Sequence, residues 1–311
     1  MFLFGIKTSL DVVYPAIEQS KNALVFWKLP KWDTSRVGCG DVIGVKACPN
    51  GDNKPKLLHQ RCFRPECPVC YQAWGNREAN RVVERLEAGE KLYHSEGKKL
   101  YRVRHIVFSP EQNTALELMG SVDGFKKLRC ECNSVIKKAG LLGGCIIFHS
   151  HRKDIVDGVA VWFYSPHFHV LGYGYLINSD KFYVVSGGWI YKNKGVRNTV
   201  KGTISYLLTH SGLGYVEGIR VFHSVTWFGI FGYSRMVIKS VVRKVVYEQC
   251  EVCNADLHSY DVSYCNDKKD YSDRDNWQDL GYYVRVIRVR SFMLRNYKRH
   301  SNNIQLKIGC G

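Results

Sequence analysis

The sequence predicts an α+β fold, and three observations carry that expectation. Runs rich in β-branched and aromatic residues, such as GGCIIFHS and VAVWFYSPHFHVLGYGYL, stand between stretches with helical apolar spacing. A third kind of segment, crowded with cysteine, Gly, Pro, Asn and Lys, has almost no periodicity. The 311 residues are 45% apolar, with 14 Phe and 19 Tyr, which is enough to fill a sizeable core in one large domain or two modest ones.

In order, the cysteine-rich segment from Cys39 to Cys70 leads into YQAWGNREANRVVERLEAGEKL, a charged amphipathic helix from Tyr71 to about Leu92. YRVRHIVFSP alternates and turns at Ser109-Pro110, marking a strand, and about 112–139 reads as helix, broken near Gly120 to Gly124. Two strands follow, at GGCIIFHS and VAVWFYSPHFHVLGYGYL, then a shorter one near FYVV. The C-terminal half of NTVKGTISYLLTHSGLG is helical, with Ile204, Leu207 and Leu208 toward a core and Gly212 or Gly214 available as a C-cap. RVFHSVTWFGIFG reads as a strand and 235–247 as a basic helix, and YYVRVIRVR alternates. The chain divides on this reading into an N-terminal segment (1–38), a zinc-binding module with its helix (39–95), a catalytic domain (96–235) and a basic C-terminal region (236–311).

Forty-five basic against 28 acidic residues give a net charge of +17, spread along the chain, which points to a polyanion and above all to nucleic acid. No run approaches the length of a membrane span, and the opening MFLFGIKTSLD lacks the features of a secretory leader. A cytoplasmic protein is expected, in which the 12 cysteines are thiols or metal ligands. No GxxxxGK[ST] motif suggests an ATPase.

The ending CFRPECPVC gives three cysteines in nine residues, Cys62, Cys67 and Cys70. A segment with so little apolar surface gains order from tetrahedral Zn²⁺ held by thiolates. Cys48 is the choice for the fourth ligand, with Cys39 and His59 as alternatives. Cys250 and Cys253 are either two buried thiols or half of a zinc knuckle completed by His258 or Cys265, and Cys130 and Cys132 read as packing residues in a helix.

Eleven histidines should produce about 0.4 His-x-His pairs by chance, and the chain has two. His149 and His151, followed at once by Arg152, Lys153 and Asp154, read as a strand running out into a solvated loop. His167 and His169 lie in a core strand, where residues two apart share a face and can hold one metal ion. On the helix, Tyr206 and His210 are four apart on one face. Laid over the histidine strand, they would bring a phenol and three imidazoles to one point, the parts of a metal-assisted phosphoryl-transfer site in which the phenol oxygen attacks phosphorus. Lys201 and Arg197 lie shortly upstream as sources of positive charge.

In the order of these motifs, from Cys39 to about Gly232, the chain resembles the HUH endonucleases, and among them the rolling-circle replication initiators of archaeal plasmids and viruses. The resemblance rests on CFRPECPVCYQAW, RHIVFSP, IIFHSHR, PHFHVLGYG, GGWIYKNKG and SYLLTHSG. It implies a nuclease core built on a five-stranded antiparallel sheet with packed helices. It also implies that His167 and His169 bind a catalytic Mn²⁺ or Mg²⁺, and that Tyr206 nicks single-stranded DNA at a replication origin, keeping the 5′ phosphate and freeing a 3′ hydroxyl. A host helicase and polymerase would be the partners. Many such initiators carry Tyr-x-x-Lys, whereas Thr209 stands three after Tyr206 here. Related single-strand transposases take a third ligand four residues after the tyrosine, the position of His210. By softness alone three imidazoles suit Zn²⁺ or Mn²⁺ better than Mg²⁺. Two rival readings are a single-strand transposase with the same chemistry and a non-catalytic, zinc-dependent nucleic-acid-binding regulator.

Overall fold

The computed structural model describes residues 24–51, 54–262 and 277–295; the segment MFLFGIKTSLD and Cys265 lie outside them. β1 (Phe26–Lys28), β2 (Val42–Ala47) and β3 (Lys56–His59) precede the long helix α1 (Tyr71–Ser95). β4 (Arg104–Ser109), α2 (Gln112–Met119) and α3 (Val122–Lys138) lead to a 16-residue strand, β5 (Leu141–Val156), and its equally long partner β6 (Val159–Gly174). α4 (Ser179–Ser186), β7 (Ile190–Val196) and α5 (Val200–Leu208) come next. The rest is β: β8 (Leu213–Val216), β9 (Ile219–Arg220), β10 (Val225–Gly229), β11 (Met236–Tyr247), β12 (His258–Asp261), β13 (Gln278–Tyr282) and β14 (Val284–Leu294). The class is α+β, with antiparallel sheets and five helices among the described residues.

The chain forms two compact units that interleave in sequence. Among the described residues, one holds 24–30, 75–237 and 294–295; the other holds those within 31–74 together with those within 238–293. The cysteine module and the C-terminal region, separate segments in the sequence reading, therefore share a unit.

The first unit is built on a five-stranded sheet in the order β10-β5-β6-β4-β7. Strand alternation sorts its side chains: Ile106, Phe108, Ile146, Phe148, Phe168 and Val170 enter one core with Ala115 and Met119 of α2 and Phe125, Leu128, Cys132 and Ile136 of α3. Glu111 caps α2 by accepting from the N–H groups of Asn113 and Thr114, and Ser121 caps α3 by accepting from Gly124, so the break between the two helices is a second N-cap. The opposite sheet face carries His105, Val107, Ile147, His149, His167 and His169, as the pairings His149↔His167, Ile147↔His169, Val107↔His169 and His105↔Leu171 require.

The strands approach closely at Gly144, where a Cβ would lie 2.1 Å from the Leu171 carbonyl oxygen, with backbone on that side. Gly144→Ala is expected to destabilise the chain by about 2 kcal/mol or more, at the upper end of overpacking costs, read as a drop in Tm.

Five local expectations are corrected. FYVV lies in α4, because Asn178 caps its start and Gly187, at φ 74°, ends it in the left-handed region, and this outweighs the β-propensity of Val184 and Val185. The basic segment 235–247 is the strand β11, consistent with its valines, and it pairs with β14. β5 does not run out into a loop after His151: it continues to Val156 and returns as β6 through Asp157-Gly158, whose φ values of 51° and 76° suit a tight hairpin turn. α5 stops at Leu208 with Thr209 as its C-cap in right-handed conformation, so neither Gly212 nor Gly214 caps it and His210 lies beyond the helix. Of RVFHSVTWFGIFG, Arg220 ends β9 and Val225–Gly229 is β10, with the residues between them outside any strand.

In the second unit β13, β12, β2 and β3 make a four-stranded sheet with Val45, Ala47 and Val262 in its core, and β11 with β14 make a two-stranded ribbon.

Candidate metal centres and active site

Cys39, Cys62, Cys67 and Cys70 have sulfur atoms within 4.8 Å of one another, a group that can hold a metal ion such as zinc. Cys39 Sγ lies 3.1 Å from Cys70, 3.6 Å from Cys67 and 3.7 Å from Cys62. A tetrahedral Zn²⁺ with bonds of about 2.3 Å sets its sulfurs about 3.8 Å apart, so the four thiols need only a slight expansion to fit. A hydrogen bond with Cys70, the largest cause, pushes the Cys39 thiol up to about 12. Burial raises Cys70, but the bond from Cys39 and backbone N–H groups bring it down to about 7.

The fourth thiol of this group is thus Cys39, and Cys48 lies in a different group. Gly38 and Gly40, at φ 73° and 104°, flank Cys39 and let the chain turn it back toward CFRPECPVC, a signal present in the sequence as GCG. His59, the other alternative, instead donates from Nδ1 to the Gly40 carbonyl at 2.8 Å and so holds that loop.

Cys48 forms a second group with Cys250 and Cys253, which can also hold a metal ion. Its Sγ is 3.4 Å from that of Cys253, and Asn50 donates to Cys253 at 3.7 Å. Backbone N–H groups of Cys253 and Val252 hold the Cys250 thiol below its ordinary value, an arrangement that favours thiolate. His258 is engaged elsewhere, with Nδ1 2.7 Å from Asp279.

The third group is His149, His167 and His169, again with ligand atoms within 4.8 Å of one another. His149, expected at the end of a strand and outside the site, is the third member of this group in place of His210. The hairpin turn pairs His151 with Tyr164, and continued unchanged that register would set His149 opposite Pro166, on the other face from His167. A bulge intervenes: Ser165 and Pro166 together oppose the single residue Ser150, and His149 comes to stand opposite His167. Pro166, which cannot donate to a ladder, is the sequence signal for that bulge.

The bulge also orients His167. It frees the Ser165 carbonyl, which accepts from His167 Nδ1 at 2.7 Å and leaves Nε2 with its lone pair toward the group. Gln112 braces it, accepting from Ser165 Oγ at 3.0 Å and donating to the Pro166 carbonyl at 3.3 Å. His149 is held likewise: its Nε2 donates to the Leu207 carbonyl of α5 at 2.9 Å, leaving Nδ1 as the ligand atom. His169 Nδ1 lies 2.8 Å from His105 Nε2, and Arg197 donates to His105 Nδ1 at 3.0 Å. A guanidinium only donates, so in this arrangement the His105 proton sits on Nε2 and points at His169. Metal binding through His169 Nε2 calls for that bond to run the other way, with Arg197 withdrawn from His105.

Burial depresses every one of these imidazoles. His149 and His169 are held well below the ordinary histidine value, first by burial and then by neighbouring histidines. Burial, helped by the Arg152 charge and opposed by the Ser165 bond, brings His167 to about 4. Burial with Arg197 and Lys194 brings His105 to about 4, and burial with Lys28 does the same for His151. All are neutral near pH 7, the form that ligates metal. Because these folded values lie below the unfolded value of about 6.5, stability is full above pH 6.5 and is lost as pH falls toward 4. The Tm of chelator-treated protein is expected to drop across that window; a flat Tm from pH 7 to 4 would contradict neutral burial.

α5 lies against this sheet face through Leu207. Tyr206 on that helix is 66% exposed, its ring 4.9 Å from the His210 ring, which stacks on Trp162 at 5.4 Å. His210 is outside the three-histidine group, yet near enough for its charge to depress His149 further. Lys201 is exposed on α5, whereas Arg197 reaches His105. Arg152 donates to Ser109 at 2.9 Å at the His167 end of the face, a cation that sequence reading left in a loop.

Fold and site together define an α+β chain that has, among the described residues, one histidine group and two thiol groups able to hold metal. No family model, curated protein or solved structure matches it. Among the described residues no helix is long and apolar enough to cross a membrane.

Proposed function

We propose that this chain is an HUH-type endonuclease that nicks and rejoins single-stranded DNA to initiate replication. The observation that carries the reading is the seating of three neutral histidines on the central sheet beneath α5, one of them bonded to the carbonyl next to Tyr206. His149, His167 and His169 would hold Mn²⁺ or Mg²⁺, which when bound polarises a phosphate. The fit rests on the two ring nitrogens that backbone carbonyls leave with free lone pairs. Three imidazoles favour Mn²⁺ over Mg²⁺.

The exposed phenol of Tyr206 attacks phosphorus. The Tyr206 O–P bond forms as the P–O3′ bond breaks, the phenol gives up its proton and the departing 3′ oxygen takes one up. The free 3′ hydroxyl is then a primer, and its attack on the phosphotyrosine rejoins the strand. Arg152, beside His167, supplies positive charge for the phosphate. The thiol groups bind zinc and order the second unit, and the +17 charge draws in the polyanion.

Trapping the adduct tests this reading. With a 5′-labelled and a 3′-labelled oligonucleotide and Mn²⁺, only the 3′ fragment should become covalently attached, through its 5′ phosphate, and Tyr206→Phe should abolish attachment while leaving Mn²⁺ binding intact. An adduct still formed by Tyr206→Phe and mapped to another tyrosine would overturn the nucleophile. No adduct from wild-type protein on a panel of single-stranded origin sequences would overturn the activity.

A further inference from the structure

The ribbon of β11 and β14 contributes to none of the three groups that can hold a metal ion, and most of its residues are exposed. Its strands contain no Asp or Glu but six cations: Lys239, Arg243, Lys244, Arg285, Arg288 and Arg290. Ser240 and Ser291 touch across the strands, hydroxyl to hydroxyl at 2.6 Å, so they share a face. Alternation then puts Lys239, Arg243, Arg288 and Arg290 together on the opposite face, among the exposed Val241, Val245 and Val286. Glu248, the acid just beyond β11, is already engaged by Lys46 and Arg285.

We propose that this face is a duplex-DNA docking element that enters the major groove. The groove, about 12 Å wide, admits a two-stranded ribbon. Eleven strand residues extend about 35 Å, close to one turn of the double helix, so cations along both strands can reach the phosphates of both groove walls. Valines between them suit the apolar edges of the bases, whereas an acidic protein surface offers no such regular pair of charged walls. The inference deepens the DNA-nicking reading by naming the duplex flank as a second DNA contact, yet it stands on the ribbon alone.

The test uses the full zinc-loaded chain and fluorescence anisotropy with a labelled 20-base-pair hairpin and a labelled single strand at several salt concentrations. The variant K239Q/R243Q/R288Q/R290Q should lose roughly 100-fold or more in duplex affinity, and the slope of log Kd against log salt should fall by about 0.9 for each phosphate contact removed. Single-strand affinity and the rate of Tyr206 adduct formation on an oligonucleotide should change little. The double variants K239Q/R243Q and R288Q/R290Q, each with unaltered zinc content and Tm, should each remove about half of the slope change, which separates binding from misfolding. Unchanged duplex affinity and slope in these folded variants would overturn the assignment, as would an equal loss on single and double strands. Tighter binding of the wild-type ribbon to phosphatidylserine vesicles than to duplex would overturn it in favour of a lipid surface. If wild-type protein forms no adduct but the variants still lose duplex binding, the nuclease reading falls and the ribbon assignment stands.

Discussion

His149→Ala is expected to lower metal-dependent adduct formation by about 100-fold or more, as much as His167→Ala, and to weaken Mn²⁺ binding measured by calorimetry without DNA. The physical reason is the register of the β5–β6 hairpin, which sets His149 directly opposite His167. Nothing in the chemistry of the first His-x-His pair distinguishes its members; the bulge does. His151→Ala should lower Tm, since that ring is buried against Tyr164 with Ser150 Oγ 2.8 Å from its Nδ1, but should leave Mn²⁺ affinity near wild type. His210→Ala should likewise spare Mn²⁺ affinity, its ring being seated between Tyr206 and Trp162. Mn²⁺ binding that survives His149→Ala but fails in His210→Ala would restore the helix-based triad and sink this one.

Removing zinc should have the second large effect, and it should come apart by site. Wild-type protein is expected to carry two zinc equivalents. Cys39→Ser should remove one of them, Cys48→Ser the other, and Cys39→Ser/Cys48→Ser both, with metal analysis as the readout. Limited proteolysis should then cut first within Lys31–Trp74 in the Cys39 variant, because the loops around Cys39 and CFRPECPVC bury little apolar surface and depend on the ion for order. In the Cys48 variant the loss should expose the Cys250–Leu257 turn, which packs with Cys48 in one small cluster. Full zinc in Cys39→Ser, or loss of the same equivalent from both single variants, would refute the division of thiols between two sites.

Much of the candidate site could be read from the chain because it depends on local periods. Residues two apart on a strand must share a face, so PHFHVLG alone pairs His167 with His169, and CFRPECPVC brings three thiols together within nine residues. The same local rules failed where caps and partners override propensity: FYVV became a helix between Asn178 and Gly187, and the valine-rich 236–247 became a strand once β14 lay beside it.

What the sequence by itself determined about this protein is the chemistry available: a histidine strand, a tyrosine helix, thiols in excess and a strongly basic surface. Which histidine and which cysteine complete each group was decided only by tertiary structure. His149 joins the site because two residues of β6 bulge against one of β5, and a slip of one residue sends every following side chain to the other face. Cys48 leaves CFRPECPVC for Cys250, about two hundred residues away, because the cysteine module folds into one unit with the C-terminal segment. Ligand groups closed over such separations depend on chain packing, which no local spacing records.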